Sequence, residues 1–294
     1  MEYMEFLDEV RNYINEESDN ITVHVHSALK NNGVRLSGLS FAEEGCNAAP
    51  TIYMEDYYSR YLNGEDICDI GDSLLSQYRL NSPAVRLDMS FFDNFESVKD
   101  RLYIKLINKE KNESFLEEAP YEDFLDLAIV AYVRVYDRKI GNGVIMVRNE
   151  HLKLWQTDRD KVLAVAKKNT HDHDEFNIRH IMDVLTSMGN SSLNNDIMAD
   201  DFPMYVATNR KMTNGAAVMT MNDKLKEFSD VIGGDFYVIP SSVHELILFA
   251  VNDNNRACDI DEMIREVNTT ELSPDEVLAD HVYLYRASDE VLIF

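Results

Sequence analysis

The stretch LDLAIVAYVRVY at residues 125–136 decides the fold class. It is largely apolar and contains Val130 and Val133, and β-branched residues at this density favour a buried strand. The Gly-Asn-Gly sequence at residues 141–143 then predicts a turn, and residues 144–147 predict a return strand. We therefore expect a hairpin here, within a sheet built by antiparallel pairing.

Elements of both kinds are predicted on either side of this hairpin. Apolar residues three and four positions apart predict helices, whereas alternating or short apolar runs predict strands. The predicted helices are at residues 3–16, 51–80, 90–99, 157–169, 177–188, 222–232 and 258–268. The predicted strands are at 21–26, 34–41, 102–107, 204–208, 216–220, 236–239, 281–285 and 291–294, with either a strand or a helix at 243–251. This order predicts an α+β fold with mainly antiparallel mixed sheets and interspersed helices.

The polar run at residues 108–113 is the predicted boundary between two lobes. It would separate an N-terminal α+β lobe at 1–110 from a C-terminal α+β lobe at 111–294. The alternative is one continuous domain, in which this run is only a long hairpin turn.

Composition narrows the class of partner. The chain of 294 residues has 53 acidic and 28 basic side chains, which gives a formal net charge of −25. The acidic excess is spread over both halves, so no basic stripe is available for nucleic acid or an anionic membrane surface. Cys46, Cys68 and Cys258 are odd in number and widely spaced, which favours reduced thiols. With no signal peptide and no long apolar run, we expect a cytoplasmic protein that binds no membrane.

The segment PSSVHE at residues 240–245 is the strongest candidate for a site. It follows the apolar strand predicted at 236–239, and sites often lie at the end of a sheet. Ser241, Ser242, His244 and Glu245 are the residue types of acyl-transfer catalysis. The alternative is structural, because Ser-x-x-Glu is also the capping box that begins a helix.

A second candidate is NTHDHDE at residues 169–175. His171 and His173 resemble metal ligands in composition, but the segment lies between two predicted helices. Asp172 or Asp174 could cap the second of these helices instead. We therefore predict no metal and no cofactor; the alternative is a metal site at His171 and His173.

Four segments resemble a family of uncharacterised bacterial proteins known only as a domain of unknown function. They are residues 125–128, 166–170, 214–217 and 234–245, of which the last reads GDFYVIPSSVHE. The resemblance implies a cytoplasmic bacterial protein and brings no activity, ligand or catalytic residue. Asn214 and Gly215, in the third segment, are candidates for ligand binding.

Two functions are consistent with these observations. The first is a non-enzymatic binding or regulatory protein that acts through a protein partner, because complete catalytic and cofactor motifs are absent and the chain is acidic and rich in tyrosine. The second is a hydrolase-like enzyme with its site at the PSSVHE segment. Whether the protein is an enzyme stays open at this stage.

Overall fold

A computed structural model describes residues 1–81, 85–137, 141–187, 204–251 and 257–294. The chain forms two compact units. The first comprises Met1–Phe92 with Val135–Gly143, and the second comprises Asp93–Arg134 with Val144–Phe294. Helices and antiparallel strands alternate along the chain, which confirms the predicted α+β class.

The first unit packs three helices with a three-stranded antiparallel sheet. Its elements are α1 (Tyr3–Glu16), β1 (Ile21–Leu29), β2 (Arg35–Glu43), β3 (Thr51–Tyr53), α2 (Glu55–Leu62) and α3 (Ile67–Asn81). The apolar face of α1 is buried through Phe6, Leu7, Val10 and Ile14, as its spacing predicts. The helix predicted over 51–80 is wrong at its start, because residues 51–53 pair with β2 instead.

The second unit contains the remaining elements. They are α4 (Phe95–Val98), β4 (Leu102–Asn108), α5 (Glu113–Leu116), β5 (Tyr121–Phe124), β6 (Leu127–Asp137), β7 (Gly141–Met146), α6 (Asn149–Leu154), α7 (Arg159–His173), β8 (Phe176–His180), α8 (Ile181–Ser187), β9 (Met204–Asn209), α9 (Asn222–Ile232), β10 (Phe236–Ile239), β11 (Leu246–Ala250), α10 (Ala257–Thr270), β12 (Tyr283–Arg286) and β13 (Val291–Ile293). The strands β6 and β7 also extend into the first unit.

Two antiparallel sheets organise these strands. In one, β6 lies between β4 and β5 and also pairs with β7; in the other the order is β13-β12-β10-β11-β9-β8. The helix α9 covers one face of the six-stranded sheet, where Phe228 packs edge-on against both Tyr205 and Phe236. The helix α10 covers the opposite face through Ile260 and Ile264. Both faces of the central strands are therefore buried.

Two predicted elements differ in the structure, and the open choice at residues 243–251 is decided. Residues 216–220 are a buried 3₁₀ helix (Gly215–Thr220) rather than a strand. The helix predicted from 177 begins only at Ile181, because residues 176–180 pair with β9 as β8. In the segment at 243–251, where either a strand or a helix is predicted, residues 246–250 form the strand β11, which pairs with β10 and β9. At residues 176–180 pairing with a distant strand overrides the local helical pattern.

The division of the chain at residues 108–113 stays a prediction. In the structure these residues are the end of β4, a short 3₁₀ turn and the start of α5. The Asn108 side chain accepts a hydrogen bond from the backbone N–H of Lys111 (2.8 Å) and donates one to the carbonyl oxygen of Leu278 (3.1 Å).

Candidate functional site

Residues 240–245 form a tight turn between β10 and β11. The backbone N–H of Ser242 donates to the carbonyl oxygen of Glu245 (3.1 Å), and the hydroxyl of Ser242 accepts from the backbone N–H of His244 (3.0 Å). A strand follows the turn, so the predicted helix-capping role of Ser242 and Glu245 is wrong. Ser242 caps a turn instead.

The imidazole of His244 is fixed by a neighbouring turn. Its Nδ1 accepts a hydrogen bond from the backbone N–H of Asn214 (3.0 Å), and its Nε2 lies 3.6 Å from Glu276 Oε1. Because Nδ1 is an acceptor here, the ring proton lies on Nε2. The structure thus brings Asn214 to Ser242 and His244, although Asn214 is distant from them in the sequence.

Gly215 is required by close approach. A Cβ atom at this position would lie 2.3 Å from Thr208 Oγ1, 2.4 Å from the carbonyl oxygen of His244 and 2.9 Å from the backbone nitrogen of Asn209. Real Cβ atoms do not approach other atoms this closely, so no larger residue fits without moving backbone. Asn214 adopts the left-handed conformation (φ 56°), which asparagine tolerates better than most residues.

Thr208 and Asn209, at the end of β9, complete this arrangement. The Thr208 hydroxyl donates to the carbonyl oxygen of His244 (2.8 Å). The Asn209 side chain accepts from the backbone of Lys211 and donates to that of Thr213. We call Thr208, Asn209, Asn214, Ser242 and His244 the polar turn cluster. The sequence reasoning missed Thr208 and Asn209, although a buried Thr-Asn pair that ends a strand is a usable signal of a turn.

The polar turn cluster joins side chains to backbone rather than to each other. Within the residues that the structure describes, no hydrogen bond links the hydroxyl of Ser241 or Ser242 to the imidazole of His244. Glu245 takes part through its carbonyl oxygen. The geometry therefore holds three chain segments together and does not form a nucleophile–base pair.

His171 and His173 lie on α7 and not in a loop, which corrects the predicted position of this segment. Two residues along a helix correspond to a rotation of about 200°, so the two side chains point to nearly opposite sides. His171 donates to Asp223 from Nε2 (3.0 Å) and to Asp172 from Nδ1 (3.3 Å). These hydrogen bonds raise the pKa of His171 above its ordinary value. Among the described residues, no group of three or more potential ligands could hold a metal ion.

A groove between β8 and α9 has no counterpart in the motif analysis. Its volume is about 270 Å³, and its walls are mainly apolar. Its apolar and aromatic lining residues are Phe176, Ile178, Tyr205, Val218, Phe228 and Val231, and Asn177, Lys224 and Glu227 line it as well. Phe176 and Ile178 alternate along β8 and so face the same side, where Ile178 pairs with Ala207 of β9. We call this feature the β8–α9 groove.

The strand β8 is the outermost strand of its sheet within the described ranges, with β9 as its neighbour. Two buried polar atoms on this strand, Asn177 Oδ1 and Arg179 Nε, have no hydrogen-bond partner there. On α9, Val231 is 75% exposed even though it borders the groove. An outer strand beside an uncovered apolar surface is a common site of pairing with another chain.

The start of β8 is held firmly. Arg134 donates two hydrogen bonds to the Asp174 carboxylate (2.7 and 2.8 Å), and its guanidinium lies 3.5 Å from the ring centroid of Tyr103. The carbonyl oxygen of Asp174 in turn accepts from the N–H of Phe176 (2.7 Å). The start of β8, which forms one wall of the groove, is therefore rigid, because a bidentate and largely buried ion pair fixes Asp174 two residues before Phe176.

A further polar cluster, also missed in the sequence, joins Asp126 to the C-terminal hairpin. The Asp126 carboxylate accepts from His281 Nε2 (2.9 Å) and from the Tyr283 hydroxyl (2.7 Å). Burial opposes ionisation of Asp126, but these two hydrogen bonds outweigh it and hold its pKa below the ordinary value. The hydrogen bond to Asp126 raises the pKa of His281. Asp126 lies 155 residues before His281 and 157 before Tyr283, so no local sequence motif connects them.

Residues 3–287 match the model of a family of unknown function, DUF5688. The chain belongs to this family. The match confirms the resemblance to an uncharacterised family that the sequence indicates. No curated protein matches the chain, and no solved structure does. No helix in the described part of the chain is both long enough and apolar enough to cross a membrane.

The DUF5688 match covers the whole polar turn cluster and every residue of the β8–α9 groove, whereas β13 lies beyond it. Membership of DUF5688 assigns no chemistry to either feature. Function must therefore be inferred from the geometry of the sites themselves.

Proposed function

We propose that this chain is a cytoplasmic binding protein, and that an extended segment of a protein partner pairs with the outer edge of β8 in the β8–α9 groove. The observation that carries the proposal is the combination of an outermost strand with an apolar groove along it. Cys46 and Cys68 are free thiols, which supports a reducing compartment.

Strand addition explains why this surface is apolar. A partner strand that pairs with β8 would receive backbone hydrogen bonds from the edge and would place every second side chain towards α9. Phe176, Ile178 and Val231 would then be covered by those side chains. The hydrophobic contact stabilises the complex, while the backbone pairing makes it tolerant of partner sequence.

Charge favours a basic partner. One carboxylate lines the groove, that of Glu227, which pairs with Lys224, a second lining residue (3.3 Å), and Asp230 follows one turn later on the exposed side of α9. The chain as a whole has a net charge of −25. A field of this sign speeds the approach of cationic segments and disfavours acidic ones. We therefore expect the bound segment to alternate apolar and basic side chains.

The hydrolase hypothesis stays a prediction without support from contacts. It requires the Ser242 hydroxyl to leave the backbone N–H of His244 and to reach the imidazole, whose Nδ1 is already bonded to Asn214. Breaking the hydrogen bond at the Ser242 hydroxyl and breaking the one at Nδ1 of His244 would each open a buried turn. Binding at the β8–α9 groove needs no such rearrangement.

The test uses a peptide of alternating valine and lysine residues with a fluorescent label. Its binding to the full chain is measured by fluorescence polarisation at physiological salt. A second peptide with the same charges carries proline in place of each valine, which removes the backbone donors that pairing needs. We expect the proline peptide to bind at least about tenfold more weakly, because several backbone hydrogen bonds are lost.

Matched variants locate the surface. Val231→Gln should weaken binding of the alternating peptide, whereas Val267→Gln should not, because Val267 is an exposed valine of α10 that does not line the groove. Equal binding of the two peptides would contradict strand addition. Equal effects of the two variants would contradict the location, and so would failure of the alternating peptide to bind the wild-type chain.

A further inference from the structure

Two histidines lie on one face of β1, an outer strand of the three-stranded sheet in the first unit. His24 and His26 are both exposed, whereas Val23 and Val25, which alternate with them, pack on the hydrophobic core. Side chains two residues apart on a strand point to the same side, about 7 Å apart along the strand. The two imidazoles are therefore neighbours on the side of β1 that faces solvent. We call them the β1 histidine pair.

The β1 histidine pair has no internal bonding role. Within the ranges that the structure describes, neither ring makes a hydrogen bond, an ion pair or a ring contact, whereas the rings of His171 and His281 are each bonded to a carboxylate. The residues directly opposite the pair on β2 are Ser40 and Gly38, which are too small to cover the rings. Exposed imidazoles whose nitrogens are unbonded are suitable ligands for a metal ion such as Zn²⁺.

One chain supplies too few ligands to close such a site. Zn²⁺ in a structural site is bound by four ligands in a tetrahedron. The β1 histidine pair provides two, and among the described residues no group of three or more potential ligands could hold a metal ion. A closed zinc site at β1 therefore needs two further ligands from outside the chain.

A second copy of β1 can supply these ligands. The strand comprises nine residues, Ile21–Leu29, and its middle residue is Val25. When two copies pair in antiparallel fashion about this midpoint, His24 of each copy lies opposite His26 of the other. Side chains directly opposite each other have Cβ atoms about 4.5–5.5 Å apart, so four imidazoles meet on one face of the joined sheet. This reciprocal contact is what a two-fold symmetric interface requires.

The same register matches the opposite face of β1. Ile21 lies opposite Leu29 of the other copy, and both residues are on the face of β1 that carries Val25. Leu29 is 44% exposed in the single chain, and this pairing covers it with an apolar neighbour. The backbone groups on the outer edge of β1 gain partners over the full length of the strand.

We propose that Zn²⁺ joins two copies of this chain at β1, with His24 and His26 of each copy as its four ligands. Charge explains why the metal is needed. Each chain has a formal net charge of −25, so two copies repel each other and strand pairing alone is opposed. The zinc site lies in the first unit and does not depend on the proposed binding of a partner at the β8–α9 groove.

The experiment measures the mass of the full chain and its zinc stoichiometry. Metal is removed with EDTA and the chelator is dialysed away. Sedimentation velocity then follows assembly as Zn²⁺ is added at about pH 7.5, and isothermal titration calorimetry counts the bound ions. We expect a monomer without metal and a dimer that is complete at about one Zn²⁺ per two chains. A chain that stays monomeric in excess Zn²⁺ would overturn the proposal, and so would a dimer that persists after removal of the metal.

The variants His24→Gln and His26→Gln test the ligands. Both side chains are exposed, so the fold should tolerate the changes. Each change removes two of the four ligands, because both copies carry it. Loss of a group that only supports a metal ligand already costs about 10–100-fold in affinity, so zinc binding should weaken by at least about tenfold.

The matched control is His173→Gln, which removes an exposed histidine of α7 in the second unit. It should leave zinc-dependent assembly unchanged. If either variant in β1 assembles with Zn²⁺ as readily as this control, the ligands are not those of the β1 histidine pair and the proposal is wrong.

Discussion

The polar turn cluster and the β8–α9 groove are two regions of one unit, and they use their chemistry in opposite ways. The cluster contains two of the motif residues that suggest catalysis, Ser242 and His244, but these two and Thr208 are hydrogen-bonded to backbone partners. The groove has no motif, but it leaves Val231 exposed and Asn177 Oδ1 without a partner. The residue types that can carry out catalysis therefore lie in the polar turn cluster, where their hydrogen bonds are already made. The β8–α9 groove, which has exposed apolar surface, contains no such motif.

The difference shows that a polar motif in the sequence does not indicate a functional site until its contacts are known. A buried polar group must find partners, so turns that cross at the end of a sheet collect serine, asparagine and histidine for structural reasons. A binding surface needs groups whose partners are missing. The comparison therefore predicts large stability effects in the polar turn cluster and small ones in the groove.

The largest effect is expected for Gly215→Ala. The added methyl group would meet the backbone of His244 and Asn209 at distances that only a shift of the chain can relieve. We expect the free energy of unfolding to fall by about 3 kcal/mol or more, measured by urea melts. The control is Gly234→Ala, where nothing lies within 4 Å of the added Cβ. Equal losses in the two variants would show that the close approach is not real.

A smaller loss is expected for His244→Leu. This change introduces an apolar side chain of similar size and removes the acceptor for the N–H of Asn214. An amide left without a partner in a buried turn costs about 1–3 kcal/mol, which urea melts resolve. A variant as stable as the wild type would mean that the imidazole does not serve the fold, and the hydrolase hypothesis would regain interest.

Almost no change in stability is expected for Val231→Gln, in contrast to both cluster variants. The side chain is 75% exposed, so the free energy of unfolding should stay within about 0.5 kcal/mol of the wild type. Its effect should appear in peptide binding instead. A loss of stability as large as that of His244→Leu would mean that the groove belongs to the core.

The smallest effect concerns pH and the cluster of Asp126, His281 and Tyr283, whose side chains are hydrogen-bonded to each other and not, as in the polar turn cluster, to the backbone. Because Asp126 raises the pKa of His281, the imidazolium stabilises the folded state fully below the unfolded pKa of about 6.5. That contribution is lost as the pH rises through the raised pKa of the folded state. The stability difference between the wild type and His281→Gln should therefore shrink above about pH 6.5, by less than about 1 kcal/mol. If the stability difference between the wild type and His281→Gln is constant from pH 5 to 9, protonated His281 does not stabilise the fold through Asp126.

The sequence predicts the fold better than the sites. Periodicity finds α1 and the C-terminal hairpin because each buries a regular face, and a continuous apolar run finds β6, which is buried on both faces. It fails at residues 176–180 and 216–220, where strand pairing and close packing decide the conformation. The PSSVHE segment is visible as a motif, but its partners Thr208 and Asn214 are far away in the sequence. The groove is invisible, because Phe176 and Val231 become neighbours only when α9 folds over the sheet.

Amide hydrogen exchange of the full chain, with and without the alternating valine–lysine peptide, tests the central claim most directly. Pairing with a partner strand should slow exchange at the residues of β8, Phe176–His180, that do not donate to β9. The same peptide should leave exchange in residues 240–245 unchanged, because that turn is already closed by its own hydrogen bonds. Unchanged exchange along β8 together with new protection at 240–245 would contradict the account and return the binding function to the PSSVHE segment.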